Sequence, residues 1–139
     1  MQQKTRATRK PHIVVTKSDH RILLGLANAV SHHDEDIAEA LIDELERAKI
    51  VADTRISANI VRLGSIVDYH AEGATRTVTL VLPVDADISK GRVSILTPIG
   101  TALLGLSPSQ SMEWTARDGR IHRLTVKDVR QVESVSPSP

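Results

Sequence analysis

The chain has 139 residues, 40% of them apolar, no cysteine and a net charge of +1. That length and apolar content suit one folded domain with a small appendage, and exclude disulfides, thiolate metal sites and cysteine nucleophiles. Tyr69 and Trp114 are the only aromatic residues and Phe is absent, which argues against stacking platforms for single-stranded nucleic acid and against aromatic-lined ligand pockets.

The charge is unevenly spread. Residues 1–10 carry Lys4, Arg6, Arg9 and Lys10 with no acid, whereas residues 31–53 carry eight acids against Arg47 and Lys49, a net of −6. Residues 54–139 return to a net of +2. Such polarity bears on how a partner is met and oriented. No apolar run is long enough to span a bilayer, and the basic start lacks the apolar stretch of a secretory signal, so no membrane association and a cytoplasmic location are expected.

In chain order, residues 1–11 read as a flexible basic tail that ends at Pro11. Residues 12–53 read as a short helical arm. His12–Val15 suits a short strand, and Thr16 then suits an N-cap with Asp19 three residues on, an acidic variant of the capping box. Ile22, Leu23, Leu26 and Val30 follow at helical spacing. Ser31, His32, His33 and Asp34 break the pattern, and Asp34 or Asp36 would cap a second helix whose apolar face is Ile37, Ala38, Leu41, Ile42, Leu45 and Ala48. Two short helices joined by a polar turn make an antiparallel hairpin, which must lean on its surroundings because each is marginal alone.

Residues 52–58 read as a linker, and from Asn59 the texture becomes β. The spacing predicts a strand over 66–69, a turn at 71–74, a stronger strand over 75–84, a loop over 85–91 and a short strand over 93–96. Thr97 then caps a helix with Pro98 at its first position, and Gly105 sits where a helix-ending glycine belongs. A last hairpin pairs 112–116 with 121–132 around Asp118-Gly119. The fold class is therefore α+β: a helical hairpin, a β domain with one short helix over 54–133, and a disordered tail over 134–139.

Candidate chemistry is sparse. Asp34, Glu35 and Asp36 crowd the tip of the arm beside His32 and His33. Carboxylate oxygens there suit a divalent cation such as Mg²⁺ or a partner's site, but acids at a helix N-terminus also favour the macrodipole with no further role. The other acids of the second helix read as a solvated face. The basic tail suits non-specific phosphate contacts or plain solubility, and no sequence-specific nucleic-acid binding is expected. Phosphate-cradling, dinucleotide and zinc-protease motifs are lacking, as is a glycine-bracketed nucleophilic serine, so neither a catalytic residue nor a metal site nor a cofactor is expected.

One stretch is specific. Ser94-Ile95-Leu96-Thr97-Pro98-Ile99-Gly100-Thr101-Ala102-Leu103-Leu104-Gly105-Leu106 resembles the signature of the C-terminal domain of the GreA/GreB transcript cleavage factors. Val61-Arg62-Leu63-Gly64-Ser65-Ile66-Val67 resembles that family's entry strand, and Leu82-Pro83-Val84-Asp85-Ala86-Asp87 its strand ending and acidic loop. The run Ala40-Leu41-Ile42-Asp43-Glu44-Leu45-Glu46-Arg47-Ala48 resembles the Rnk-like branch, regulators of nucleoside diphosphate kinase. Pro98, Gly100, Ala102, Leu103 and Gly105 then read as a structural signature: proline starts the helix, the leucine buries and the glycine stops it.

The resemblance implies an FKBP-like β domain behind a short coiled coil, and binding to RNA polymerase near its secondary channel. It places Asp34, Glu35 and Asp36 where the cleavage factors carry their carboxylates, a match of position rather than of motif. A first helix of roughly 12–14 residues spans only about 20 Å, much less than a cleavage-factor arm, so binding without stimulated cleavage is expected. Regulation of nucleoside diphosphate kinase, by contact or through its expression, is the alternative. The prolyl isomerase activity that an FKBP-like fold also suggests is disfavoured by the shortage of aromatics.

Overall fold

The structure, a computed structural model, describes residues 10–115 and 118–131. The expected basic tail up to Arg9 and the tail over 134–139 lie outside the described residues. Chain order is β1 (Val14–Thr16), α1 (Lys17–Val30), α2 (Glu35–Arg47), β2 (Lys49–Val51), β3 (Ser65–Ala71), β4 (Ala74–Val81), β5 (Arg92–Ser94), α3 (Pro98–Leu103), β6 (Ser111–Thr115) and β7 (Ile121–Gln131).

The N-terminal part is a ββ pair bridged by two packed helices. β1 and β2 run parallel, with Val15 opposite Ile50, so the helical pair is the crossover between them. Thr16 caps α1 by accepting from the Asp19 N–H at 3.1 Å, and Asp34 caps α2 by accepting from the Ile37 N–H at 3.2 Å. The strand β2 falls at the end of the expected arm and at the edge of the expected linker. That linker also holds a 3₁₀ turn at Asp53–Arg55, and the Asp53 carboxylate accepts from the Ser18 N–H at 3.1 Å.

The helical faces differ in part from expectation. α1 buries Asp19, Leu23 and Ala27, while Ile22 is 49% exposed. The buried stripe runs through Asp19, Leu23 and Ala27 at four-residue spacing, one position away from Ile22. On α2 the buried set is Ile37, Ala38, Leu41, Glu44 and Leu45. Glu44 is therefore no part of a solvated face: it sits at the stripe position three after Leu41.

The second sheet has the order β5-β4-β3-β7-β6, with β5 parallel to β4 and the other pairs antiparallel. β3 alternates cleanly, burying Ser65, Val67, Tyr69 and Ala71. In β7 the buried set is Leu124, Val126 and Val129. The break from two-residue spacing comes from a register shift: Tyr69 faces Val126 but Asp68 faces Asp128, leaving Lys127 as the extra residue of a bulge. β4 ends at Val81, shorter than the expected 75–84, because Pro83 opens a 3₁₀ turn and cannot donate to a sheet ladder. The loop over 85–91 contains a second such turn, Ile88–Lys90, and β5 spans Arg92–Ser94 against the expected 93–96.

One hydrophobic cluster runs through both parts, from Ile13, Leu23 and Leu41 to Val67, Leu103, Leu106 and Val129. Burying each such aliphatic side chain contributes on the order of 1.5–3 kcal/mol. A backbone bond joins the parts too: the Val14 N–H donates to the Gly105 carbonyl at 3.2 Å.

Candidate functional site: the arm tip and the groove beneath it

The tip of the arm does not project alone. Asp34 and Asp36 line an open groove of about 540 Å³, whose other walls include Ile37 and Ala40 of α2, Pro98 and Ala102 of α3, and Met112 and Trp114 of β6. The packing of α2 against α3 brings these together. Two regions that are remote in sequence, the acidic turn and the Thr97–Leu106 stretch, thus share one surface. Glu35 belongs to the same first turn of α2 and is exposed, as are His32 and His33.

Local chemistry explains each placement. Asp34 is half-buried and committed to the cap. Glu35 and Asp36 lie in the first turn, where their negative charge faces the positive end of the helix dipole. Among the described residues, no group of three or more His, Asp or Glu side chains is arranged to hold a metal ion.

The Thr97–Leu106 stretch works as scaffold chemistry. The Thr97 hydroxyl accepts from the Gly100 N–H at 3.0 Å and donates to the Ser94 carbonyl at 2.7 Å. A Cβ at Gly100 would lie 2.1 Å from that same carbonyl oxygen, so only glycine lets the helix sit so close to the β5 exit. The Thr101 hydroxyl donates to the Ile95 carbonyl at 2.8 Å, and Leu103 is fully buried. Gly105 has φ +80° and faces Ile13. Pro98 and Ala102 turn part of their surface into the groove.

Ser65 has a comparable task at the entry to β3. Its buried hydroxyl accepts from the Arg62 N–H at 2.8 Å and donates to the Gln131 side chain at 2.7 Å. The Gln131 amide in turn donates to the Ala58 and Ile60 carbonyls at 2.8 and 2.9 Å. The end of β7 is thereby tied to the segment that enters the sheet.

Three groove residues escaped the sequence reading. Glu44 is 4% exposed, and its carboxylate pairs with Lys10 at 2.9 Å and with Arg47 at 2.7 Å. Its place in the apolar stripe of α2 was the available signal. Trp114 stacks on His122 with ring centroids 5.2 Å apart, and the His122 Nδ1 meets the Glu72 carboxylate. Glu113, its neighbour on β6, also borders the groove. Nothing local to β6 signals that α2 will lie across it.

Comparison with known proteins matches this architecture. The family model for the C-terminal part of the transcription elongation factors GreA and GreB matches residues 56–131, and the model for the Rnk N-terminus matches residues 11–51. The chain is 29% identical over 122 residues to the regulator of nucleoside diphosphate kinase of Escherichia coli, covering 86% of this chain and 90% of that one. It is 31% identical over 121 residues to the transcription elongation factor GreA of Rhodospirillum rubrum, covering 79% of this chain and 76% of that one. Among solved structures, a GreA/GreB elongation factor from Nitrosomonas europaea superposes with a TM-score of 0.69 at 32% identity, over 85% of this chain and 98% of that one. The chain therefore belongs to the GreA/GreB family, with an Rnk-type N-terminal part.

Proposed function

We propose that this protein is a transcription regulator that binds RNA polymerase near the secondary channel and does not stimulate transcript cleavage. Family membership supports the polymerase as partner. The observation that carries the second half is the arm itself. Its helices have 14 and 13 residues, about 20 Å of reach each, and their tip carboxylates sit over a groove of the same molecule. Such an arm is a short docked lever, poorly suited to carry carboxylates deep into another enzyme's channel. We further propose the division used above: an arm over 12–53, and an FKBP-like domain over 54–133 that provides the binding body. No catalytic role is assigned to any residue.

The test is direct. The protein is expected to co-purify with RNA polymerase and to compete with GreA, while leaving stalled elongation complexes uncleaved. Robust cleavage stimulated by this protein would overturn the reading. The name of the Escherichia coli relative favours a second reading, regulation of nucleoside diphosphate kinase. A pull-down that retains the kinase and no polymerase subunit would select it.

A further inference from the structure

The groove between α2 and the α3–β6 face carries an unusual charge pattern. Five carboxylates border it, those of Asp34, Asp36, Asp43, Glu44 and Glu113, against one cation, Lys10. Its floor is apolar, formed by Ile37, Ala40, Pro98, Ala102, Met112 and Trp114. An acidic rim over an apolar floor fits a peptide with long cationic side chains, whose methylene stems cover the floor while their heads meet the rim.

The structure already shows one such contact. Lys10 is the first described residue, and its ammonium lies 2.9 Å from Glu44 at the groove wall. The nine residues before it, Met1-Gln2-Gln3-Lys4-Thr5-Arg6-Ala7-Thr8-Arg9, hold three more cations and no acid. Nine residues reach up to about 30 Å, more than enough to cover a groove that begins at their own attachment point. Tethering raises the effective concentration of such a segment into about the millimolar range. Weak individual ion pairs therefore suffice for occupancy.

We propose that this groove is a docking site for the chain's own N-terminal segment, residues 1–9. Lys4, Arg6 and Arg9 supply the charge that Asp36 and Asp43 lack among the described residues, extending the pairing that Lys10 makes with Glu44; Glu113 already has Arg123 at 3.9 Å. Occupancy covers Pro98, Ala102 and the acidic turn together. Any partner using this face has to displace the segment first, which makes the segment an intrinsic competitor. The inference stands whatever the partner is, because it rests on the groove and the sequence alone.

Trp114 borders the groove and is the chain's only tryptophan, so its emission reports on occupancy. The experiment compares the full chain with a full-length variant carrying Lys4→Glu, Arg6→Glu and Arg9→Glu, which alters no described residue. The expected result is a different Trp114 emission maximum or intensity in the variant, with amide shifts confined to Asp36, Ala40, Asp43, Ala102 and Glu113. A synthetic peptide of residues 1–9 should bind the variant saturably and the wild-type chain at least tenfold more weakly, because the native segment competes. Replacing Asp36 and Asp43 by Asn in the charge-reversed chain should weaken that peptide severalfold. Identical spectra for the two chains, or equal peptide affinity for both, would overturn the proposal. Spectral differences that vanish on dilution would also overturn it, since they would place the segment of a second copy in the groove.

Discussion

Asp19 and Arg62, 43 residues apart, join the arm to the entry of the five-stranded sheet through a 3.1 Å bond from the guanidinium Nε to the carboxylate Oδ2. The Asp19 side chain is only 11% exposed and that of Arg62 31% exposed. The sequence suggests Asp19 as the acidic partner of a capping box, but its carboxylate is turned to Arg62, and only its N–H serves the Thr16 cap. A half-buried ion pair costs more to break than to replace, because the remaining charge loses its partner. Asp19→Asn and Arg62→Met should each lower stability by about 1–3 kcal/mol. In a double-mutant cycle read by urea denaturation, the pair should show a coupling of about 1 kcal/mol. Additive losses would mean that the bond does not hold arm to sheet.

The arm tip separates cap from charge. Asp34 is the N-cap of α2, so Asp34→Ala should cost about 1 kcal/mol of stability, while Asp34→Asn keeps the acceptor and should cost only a few tenths. Glu35→Gln and Asp36→Asn should be close to neutral for folding, since both side chains are exposed. Any loss of polymerase binding that follows Asp34→Asn, Glu35→Gln and Asp36→Asn together then reports charge and not helix fraying. Circular dichroism and urea midpoints check the first part, and polymerase co-purification the second.

Acid should loosen the sheet through Asp68. The guanidinium of Arg130 donates to this carboxylate at 2.9 Å, the Thr77 hydroxyl donates at 2.7 Å, and together they hold its pKa below the ordinary carboxylate value. A carboxyl whose native pKa is depressed stabilises the fold above its unfolded value, about pH 4, and that contribution is lost as pH falls through the native value. Asp68→Asn should therefore have a lower urea midpoint than the parent at neutral pH. The two should converge as pH falls below about 4. Parallel midpoints across that range would remove Asp68 from the acid response. The effect is modest, because the pair lies at the surface and is screened.

Local chemistry made much of the fold legible. Thr16, Thr97 and Pro98 act at the helix starts where their side chains and ring predict, and the 71–74 turn falls between β3 and β4. The Thr97–Leu106 stretch announced the family. Elements fixed by distant partners were not legible. The strand β2 has three residues, and it is a strand because β1, more than thirty positions earlier, lies beside it. Ile22 looks like a core residue by spacing, yet it is exposed on α1, whose inward positions are Asp19, Leu23 and Ala27, with Asp19 bonded to Arg62 of the β domain. The acidic tip was visible as chemistry, but its groove needs α2 to cross α3 and β6. No pattern within either segment encodes that crossing.

Gly105 meets Ile13 where β1 lies against the β domain. A Cβ on Gly105 would stand 2.7 Å from the Ile13 Cβ and 3.1 Å from both the nitrogen and the oxygen of Val14, at a backbone φ of +80°. Two costs follow for Gly105→Ala: a left-handed backbone on an L-residue, and overpacking against β1. Together they should destabilise the chain by about 2–4 kcal/mol, measured as a lower urea midpoint. Trimming the neighbour should not help. Ile13→Ala leaves the Cβ that makes the clash and removes buried methylenes, itself a loss of about 2–5 kcal/mol. The double variant should therefore be less stable than either single one. If Ile13→Ala instead restored stability, the contact would lie with the outer methyls of Ile13. β1 would then be free to shift relative to the helix-ending glycine, and the arm would be less firmly docked than this junction implies.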